Sequence, residues 1–280
     1  MAWYRRPVLA FRRVLSLGIA LASLLVAREE AHAAPCGRFR FVTVYDSHGL
    51  TTFGERVDGW ILAQKEAELE SYTLGGASTE WLVTSKVSLR GYHYHSCDKA
   101  PILSRARLPE RKLRAPTLDE LFAPPGTYEK QIVLVGLGSN MPGEPALQVG
   151  SVEKTIRRIR SQPNTICVWI GPPSMRKWSP AFGEKVYAML RAGIKAAEDD
   201  PSGSKGAPAC HLIDSRNLSA YPDGGDGWHY GFFPAGIDAA TKWADGVTGE
   251  VEKILRVALP APLAKNEGAT RVPPLLSRSR

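Results

Sequence analysis

Strand-like runs and helical stretches take turns along this chain, and few architectures accept that order. Residues 38–45 (RFRFVTVY) are rich in aromatic and β-branched side chains and read as a strand. Residues 55–70 carry Val57, Ile61, Leu62 and Leu69 roughly on one side of a helix. Residues 71–74 form a short second strand, ended by Gly75-Gly76. The run 131–137 (QIVLVGL) is apolar almost without a break, which suits a strand covered on both faces. Residues 150–160 suit a short helix. Residues 165–170 (TICVWI) form the next strand, stopped by Gly171-Pro172-Pro173. A longer helix over 181–197, a short strand over 210–213 and a closing helix over 235–257 complete the series. This alternation predicts an α/β domain around a mainly parallel, five-stranded sheet.

The connection over 77–130 is much longer than usual for such a fold. Its stretch 105–126 (RARLPERKLRAPTLDELFAPPG) is charged and Pro-rich and reads as a surface excursion. Residues 260–280, rich in Pro, Ala and Arg, read as a disordered tail. The first 33 residues stand apart. Arg5, Arg6, Arg12 and Arg13 precede an apolar run over 14–27, and Ala31-His32-Ala33 follows as a small-x-small site. That order predicts a secretory signal peptide, and the domain then spans 34–259. Phe11-Arg12-Arg13 faintly resembles a twin-arginine signal, so the export route stays open.

Export predicts a periplasmic or secreted protein with no stable membrane insertion once the leader is gone. The leader removes five Arg and two Glu, so a formal charge of +8 falls to +5. That is mild, and no dense basic run accompanies it, which excludes nucleic acid as a partner. Apolar residues at 44% and charged residues at 23% exclude a disordered, collagen-like or multi-span membrane chain. Cys36, Cys97, Cys167 and Cys210 lack the paired short spacing of a zinc site. Outside the cytoplasm they are expected to form one or two disulfides, with three connectivities open. The protein is expected to act as a monomer.

Ligands of open α/β sheets bind at the carboxyl ends of strands. Asp46-Ser47-His48-Gly49 follows the first strand, Gly75-Gly76-Ala77-Ser78 the second and Gly138-Ser139-Asn140 the third. Asp226-Gly227-Trp228-His229 follows the fifth. Together they supply the parts of acyl transfer. Ser47 is a nucleophile, His229 a base to take its proton, and Asp226 a carboxylate to orient the imidazole. The amides of Ser47 and Gly76 and the side chain of Asn140 are candidate oxyanion donors.

These blocks resemble those of the SGNH (GDSL-like) hydrolases, which supply Ser, Gly, Asn and His in that chain order. Tyr45-Asp46-Ser47-His48 resembles the first block, in the variant with His after Ser. Gly76 resembles the second-block glycine, Gly138-Ser139-Asn140 the third-block Gly-x-Asn, and Asp226-x-x-His229 the closing block. The resemblance covers most of the chain from about Phe41 to Trp243. It implies a flavodoxin-like three-layer α/β/α sandwich and esterase-type hydrolysis through an acyl-serine, without metal or organic cofactor. The sequence departs from the family pattern twice. Tyr45 stands where Gly is usual, adding bulk beside the turn, and Met141 stands where Asp often follows the third-block Asn.

His48 is expected to serve the loop, because adjacent side chains seldom converge on one proton. Tyr92-His93-Tyr94-His95 has no third metal ligand nearby and reads as a polar loop. Trp81 and Trp228 lie close to two of the blocks and are candidates to stack on a sugar. Arg176 follows the fourth strand and is a candidate to bind an acidic or glycan substrate. The expected partner is an acylated polysaccharide or another ester, with removal of O-acetyl groups as the leading activity. A lipase, thioesterase or amide deacetylase with the same triad, or a glycan-binding module without catalysis, are the alternatives.

Overall fold

The computed structural model describes residues 35–98, 111–141, 143–200, 209–259 and 263. The predicted signal peptide and nearly all of the predicted tail lie outside them.

Among the described residues, seven strands form one sheet. In chain order they are β1 (Phe39–Tyr45), β2 (Ala67–Leu74), β3 (Val87–His95), β4 (Arg111–Arg114), β5 (Lys130–Gly136), β6 (Thr165–Ile170) and β7 (His211–Ile213). The sheet order is β4-β3-β2-β1-β5-β6-β7. The strands β2, β1, β5, β6 and β7 run parallel, whereas β3 and β4 pair antiparallel. The parallel set matches the five strands expected from sequence. The sheet itself does not, because it is a mixed sheet of seven.

Both extra strands come from the long connection. Strand β3 alternates poorly and is largely exposed, so no apolar period marks it. Part of the supposed surface excursion is also structural. Ala115 and Leu121 are buried, and the Leu121 carbonyl accepts a bond from the buried Arg40 side chain at 2.7 Å.

The parallel strands alternate their side chains between two cores, as a period of two requires. Phe39, Phe41, Ile132, Leu134, Ile166 and Val168 face one side. There they meet α1 (Thr52–Leu62) and α4 (Pro234–Ala258). Val42, Val44, Val133, Val135, Cys167 and Trp169 face the other side and meet α2 (Val149–Arg160) and α3 (Pro180–Glu198). Helices therefore cover both faces of the sheet. The chain switches faces between the helix after β1 and the helix after β5, and such a switch opens a crevice at the strand ends.

Helix α1 is shorter than the helix expected over 55–70. Ala67 to Glu70 belong to β2, and Glu66 before them turns at φ 59°. Two disulfides, Cys36–Cys97 and Cys167–Cys210, resolve the three open connectivities. Such bonds persist in an oxidising compartment. Among the described residues, no helix is long and apolar enough to cross a membrane.

Candidate active site

The register of the sheet brings the sequence blocks to one edge. Tyr45, the last residue of β1, stands opposite Thr73 of β2 and Gly136 of β5. The chain therefore leaves all three strands at the same height. After β1, Asp46 accepts a bond from the His48 N–H at 2.9 Å and starts a one-turn helix over Ser47–Leu50. Ser47 is the first residue of that turn. Gly49 lets the turn lie against β2, since a Cβ there would fall 2.5 Å from Thr73 Oγ1.

Ser47, His229 and Asp226 meet. Ser47 Oγ lies 3.0 Å from His229 Nε2, and His229 Nδ1 lies 2.6 Å from Asp226 Oδ2. Asp226 Oδ1 also accepts the backbone N–H groups of Trp228 and His229, each at 2.8 Å. Burial alone would raise the Asp226 carboxyl, but the bonds from His229 and from these amides outweigh it and hold it well below the carboxylate range. An ionised carboxylate accepts, so Nδ1 carries the proton and Nε2 is left to accept from the Ser47 hydroxyl. A serine hydroxyl so placed can lose its proton to the imidazole as it attacks a carbonyl.

Gly76 and Asn140 line one cleft with His229, of about 490 Å³. Gly75, the other glycine of that turn, has its N–H taken by the Arg90 carbonyl at 2.8 Å. Gly76 itself adopts φ 80°, a conformation that disfavours any side chain. The Asn140 side chain donates to the Ala77 carbonyl at 3.2 Å, which ties the third block to the second and leaves its other N–H for a ligand.

Trp81 and Trp228 also line the cleft, with Ser78, Glu80, Lys86 and Met141. Arg176 does not line it. Its guanidinium donates to the Gly225 carbonyl at 3.1 Å and lies 5.5 Å above the Tyr221 ring. These contacts brace the loop that carries Asp226.

Tyr45 does stand beside the turn, since a Cβ on Gly49 would fall 2.5 Å from its Cβ. Its ring is buried in the core under α1, edge-on to Phe53 at 5.8 Å, and its hydroxyl donates to Asp58. Met141 takes no part in fixing the asparagine loop through a carboxylate. Ser139 does that work by donating to Asp46 Oδ2, a link that nothing in the sequence reading anticipated. Tyr221 was also missed. Its hydroxyl accepts the Gly227 N–H at 2.8 Å and donates toward Asp226 at 3.3 Å. Phe232, 55% exposed, stands 5.4 Å from the His229 ring at the rim. Of the polar histidine run, His93 pairs with Glu70 and His95 with Glu68 within the sheet.

No protein-family model matches the chain, and no curated protein matches it. Solved structures similar to it include two from bacteria. One is a carbohydrate acetylesterase family member from Sinorhizobium meliloti, at 14% identity and a TM-score of 0.43, covering 77% of this chain and 99% of that one. The other is a DUF4886 family protein from Bacteroides uniformis, at 14% identity and a TM-score of 0.38, covering 82% and 88%. Likeness at that level says nothing of chemistry, which rests on the residues themselves.

Proposed function

We infer that this protein is an exported serine esterase of SGNH type that removes O-acetyl or other short acyl groups from a polysaccharide. The observation that carries this reading is the continuous relay from Ser47 Oγ through His229 to Asp226, at 3.0 and 2.6 Å. The hydroxyl attacks the acyl carbonyl carbon, and its proton passes to His229 Nε2. The carbonyl oxygen becomes an oxyanion facing the amides of Ser47 and Gly76 and the Asn140 side chain. Collapse expels the sugar alkoxide, which takes the proton back from the imidazolium. Water then attacks acyl-Ser47 with His229 again as base and releases the carboxylic acid. Each oxyanion donor is worth about a hundredfold or more in rate.

The cleft favours a sugar over a long acyl chain. Its walls combine Trp81 and Trp228 with Ser78, Asn140 and the Glu80–Lys86 ion pair, rather than an apolar tunnel. Burial of Tyr45 in the core favours catalysis over a purely glycan-binding role, because the nucleophile turn keeps its contact with His229.

A fluorophosphonate probe is expected to label Ser47, mapped by mass spectrometry, and Ser47→Ala is expected to abolish p-nitrophenyl acetate turnover in a protein with an unchanged melting profile. Turnover that survives the substitution refutes the assignment. Acetate release from O-acetylated polysaccharides tests the substrate class, and activity confined to long-chain esters argues against it.

A further inference from the structure

A second histidine lies beside the relay, and the proposed chemistry does not use it. His48 is 3% exposed, and both ring nitrogens are engaged. Nδ1 lies 3.0 Å from Asp46 Oδ1, and Nε2 lies 3.1 Å from the carbonyl oxygen of Trp228. Asp46 and the Trp228 carbonyl are acceptors, and the third neighbour, Ser139 Oγ at 3.3 Å from Nδ1, gives its one proton to Asp46 Oδ2 and so can only accept from the ring. A carbonyl has no proton to give, and Asp46 accepts at each of its oxygens. Its Oδ1 takes the His48 backbone N–H at 2.9 Å, and its Oδ2 takes the Ser139 hydroxyl. A neutral imidazole has one N–H and can serve only one of these contacts.

The peptide between Trp228 and His229 shows what the second contact does. Its N–H is held by Asp226 Oδ1 at 2.8 Å, and its C=O is held by His48. That peptide carries the imidazole of the relay. The other end of the strap, Asp46, opens the turn that carries Ser47, and through Ser139 it reaches the loop that carries Asn140. We propose that His48 is a positioning residue, held as a buried imidazolium that donates from both nitrogens and so locks the His229 loop onto the nucleophile turn. This rests on the serine-esterase reading of the same site. A shift of about 1 Å in a catalytic group can lose about a hundredfold in rate, so one fixed peptide matters.

The surroundings support the charge. Burial works against it, but the Asp46 charge and hydrogen bond, the Trp228 carbonyl and the Asp226 charge outweigh burial and push the imidazole above its ordinary value. Asp46 shows the counterpart. Burial would raise it, yet the charge of His48 and the bonds from His48 and Ser139 hold it below its ordinary value. The aromatic neighbours are the His229 ring at 5.7 Å, Tyr230 at 6.4 Å and the edge of Trp243 at 5.3 Å.

The test compares His48→Leu with His48→Gln, each combined with Asp46→Asn so that no carboxylate is stranded. Glutamine keeps an N–H for the Trp228 carbonyl, whereas leucine keeps none. With p-nitrophenyl acetate, the leucine variant is expected to lose about a hundredfold in kcat at a KM within about twofold of wild type. The glutamine variant is expected to recover about tenfold of that loss. Wild-type kcat/KM is expected to fall on the alkaline side as His48 loses its proton, and the glutamine variant lacks that limb. Side-chain 15N NMR of the wild-type protein at pH 7 reads the charge directly, and both His48 nitrogens are expected to be protonated. A wild-type kcat in the leucine variant, equal kcat in the two variants, or an unprotonated His48 nitrogen overturns the proposal. If the variants do not fold, the nitrogen spectrum decides. Absence of probe labelling at Ser47 in the wild type overturns the esterase reading instead, and the same spectrum still decides the charge of His48.

Discussion

Asp226 holds a loop and the His229 imidazole with the same carboxylate. Its Oδ1 gathers the N–H groups of Trp228 and His229, while its Oδ2 takes the proton of His229 Nδ1. Asp226→Asn separates the two tasks. The amide oxygen can still accept from the backbone, but the amide N–H facing Nδ1 selects the imidazole tautomer protonated at Nε2. Ser47 then loses its acceptor. A fall in kcat on the order of 10⁴-fold is expected, with the melting temperature nearly unchanged. A kcat within tenfold of wild type, measured on p-nitrophenyl acetate, rules out this role. Ser47, Gly76, Asn140, Asp226 and His229 could be singled out in the sequence because each lies in a short block after a strand. The roles of Ser139, Tyr221 and Arg176 could not, since each is defined by a partner on another loop.

The five parallel strands were legible for a plain reason. Buried on both faces, they are written in apolar and β-branched residues. Strand β2 shows the limit of that reading. Glu68 and Glu70 look like surface residues of a helix, yet Glu68 is 1% exposed and accepts from the Cys36 N–H, His95 and Tyr128. Polar residues in a strand are hidden when their partners come from distant elements. At the other side of the sheet, Cys167–Cys210 ties β6 to the start of β7 across a separation of 43 residues. Closing a loop of that length in the unfolded chain accounts for about 4 kcal/mol in the chain-entropy account. Replacing both cysteines by alanine is expected to lower unfolding free energy by about 2–4 kcal/mol in urea titrations. An unchanged urea midpoint contradicts this.

Several groups have their ionisation set by the folded molecule, and together they shape its pH dependence. Glu70 is raised by burial, but the bond from His93, the charge of Arg40 and the bond from Tyr72 outweigh this and hold it at about 2. Asp46 and Asp226 are held low as well. Each contributes stability that is fully present above its unfolded value. For Glu70 that stability is lost as pH falls from the ordinary 4.5 toward about 2, and for Asp46 and Asp226 as pH falls below their ordinary 3.8. His48 acts in the opposite sense. Its raised value contributes stability that is present below the ordinary 6.5 and is lost as pH rises through its folded value. Urea unfolding across pH 2–10 is therefore expected to give a plateau between an acid limb and an alkaline limb. Stability that increases on acidification from about pH 4.5 toward about 2 contradicts the assignment.

Residue order alone carried the alternation of elements, the two-sided burial of the central strands and the four chemical blocks. Each is a local pattern, encoded by neighbours within a few positions of one another. Register is another matter. That Ser47 and His229, 182 residues apart, meet within 3.0 Å follows from how β1, β2 and β5 end at one height and from the loop that α4 anchors. The antiparallel strands, the disulfide pairing and the strap from His48 to the Trp228 carbonyl arise in the same way. Each joins groups that no local spacing relates, and packing alone brings them within reach.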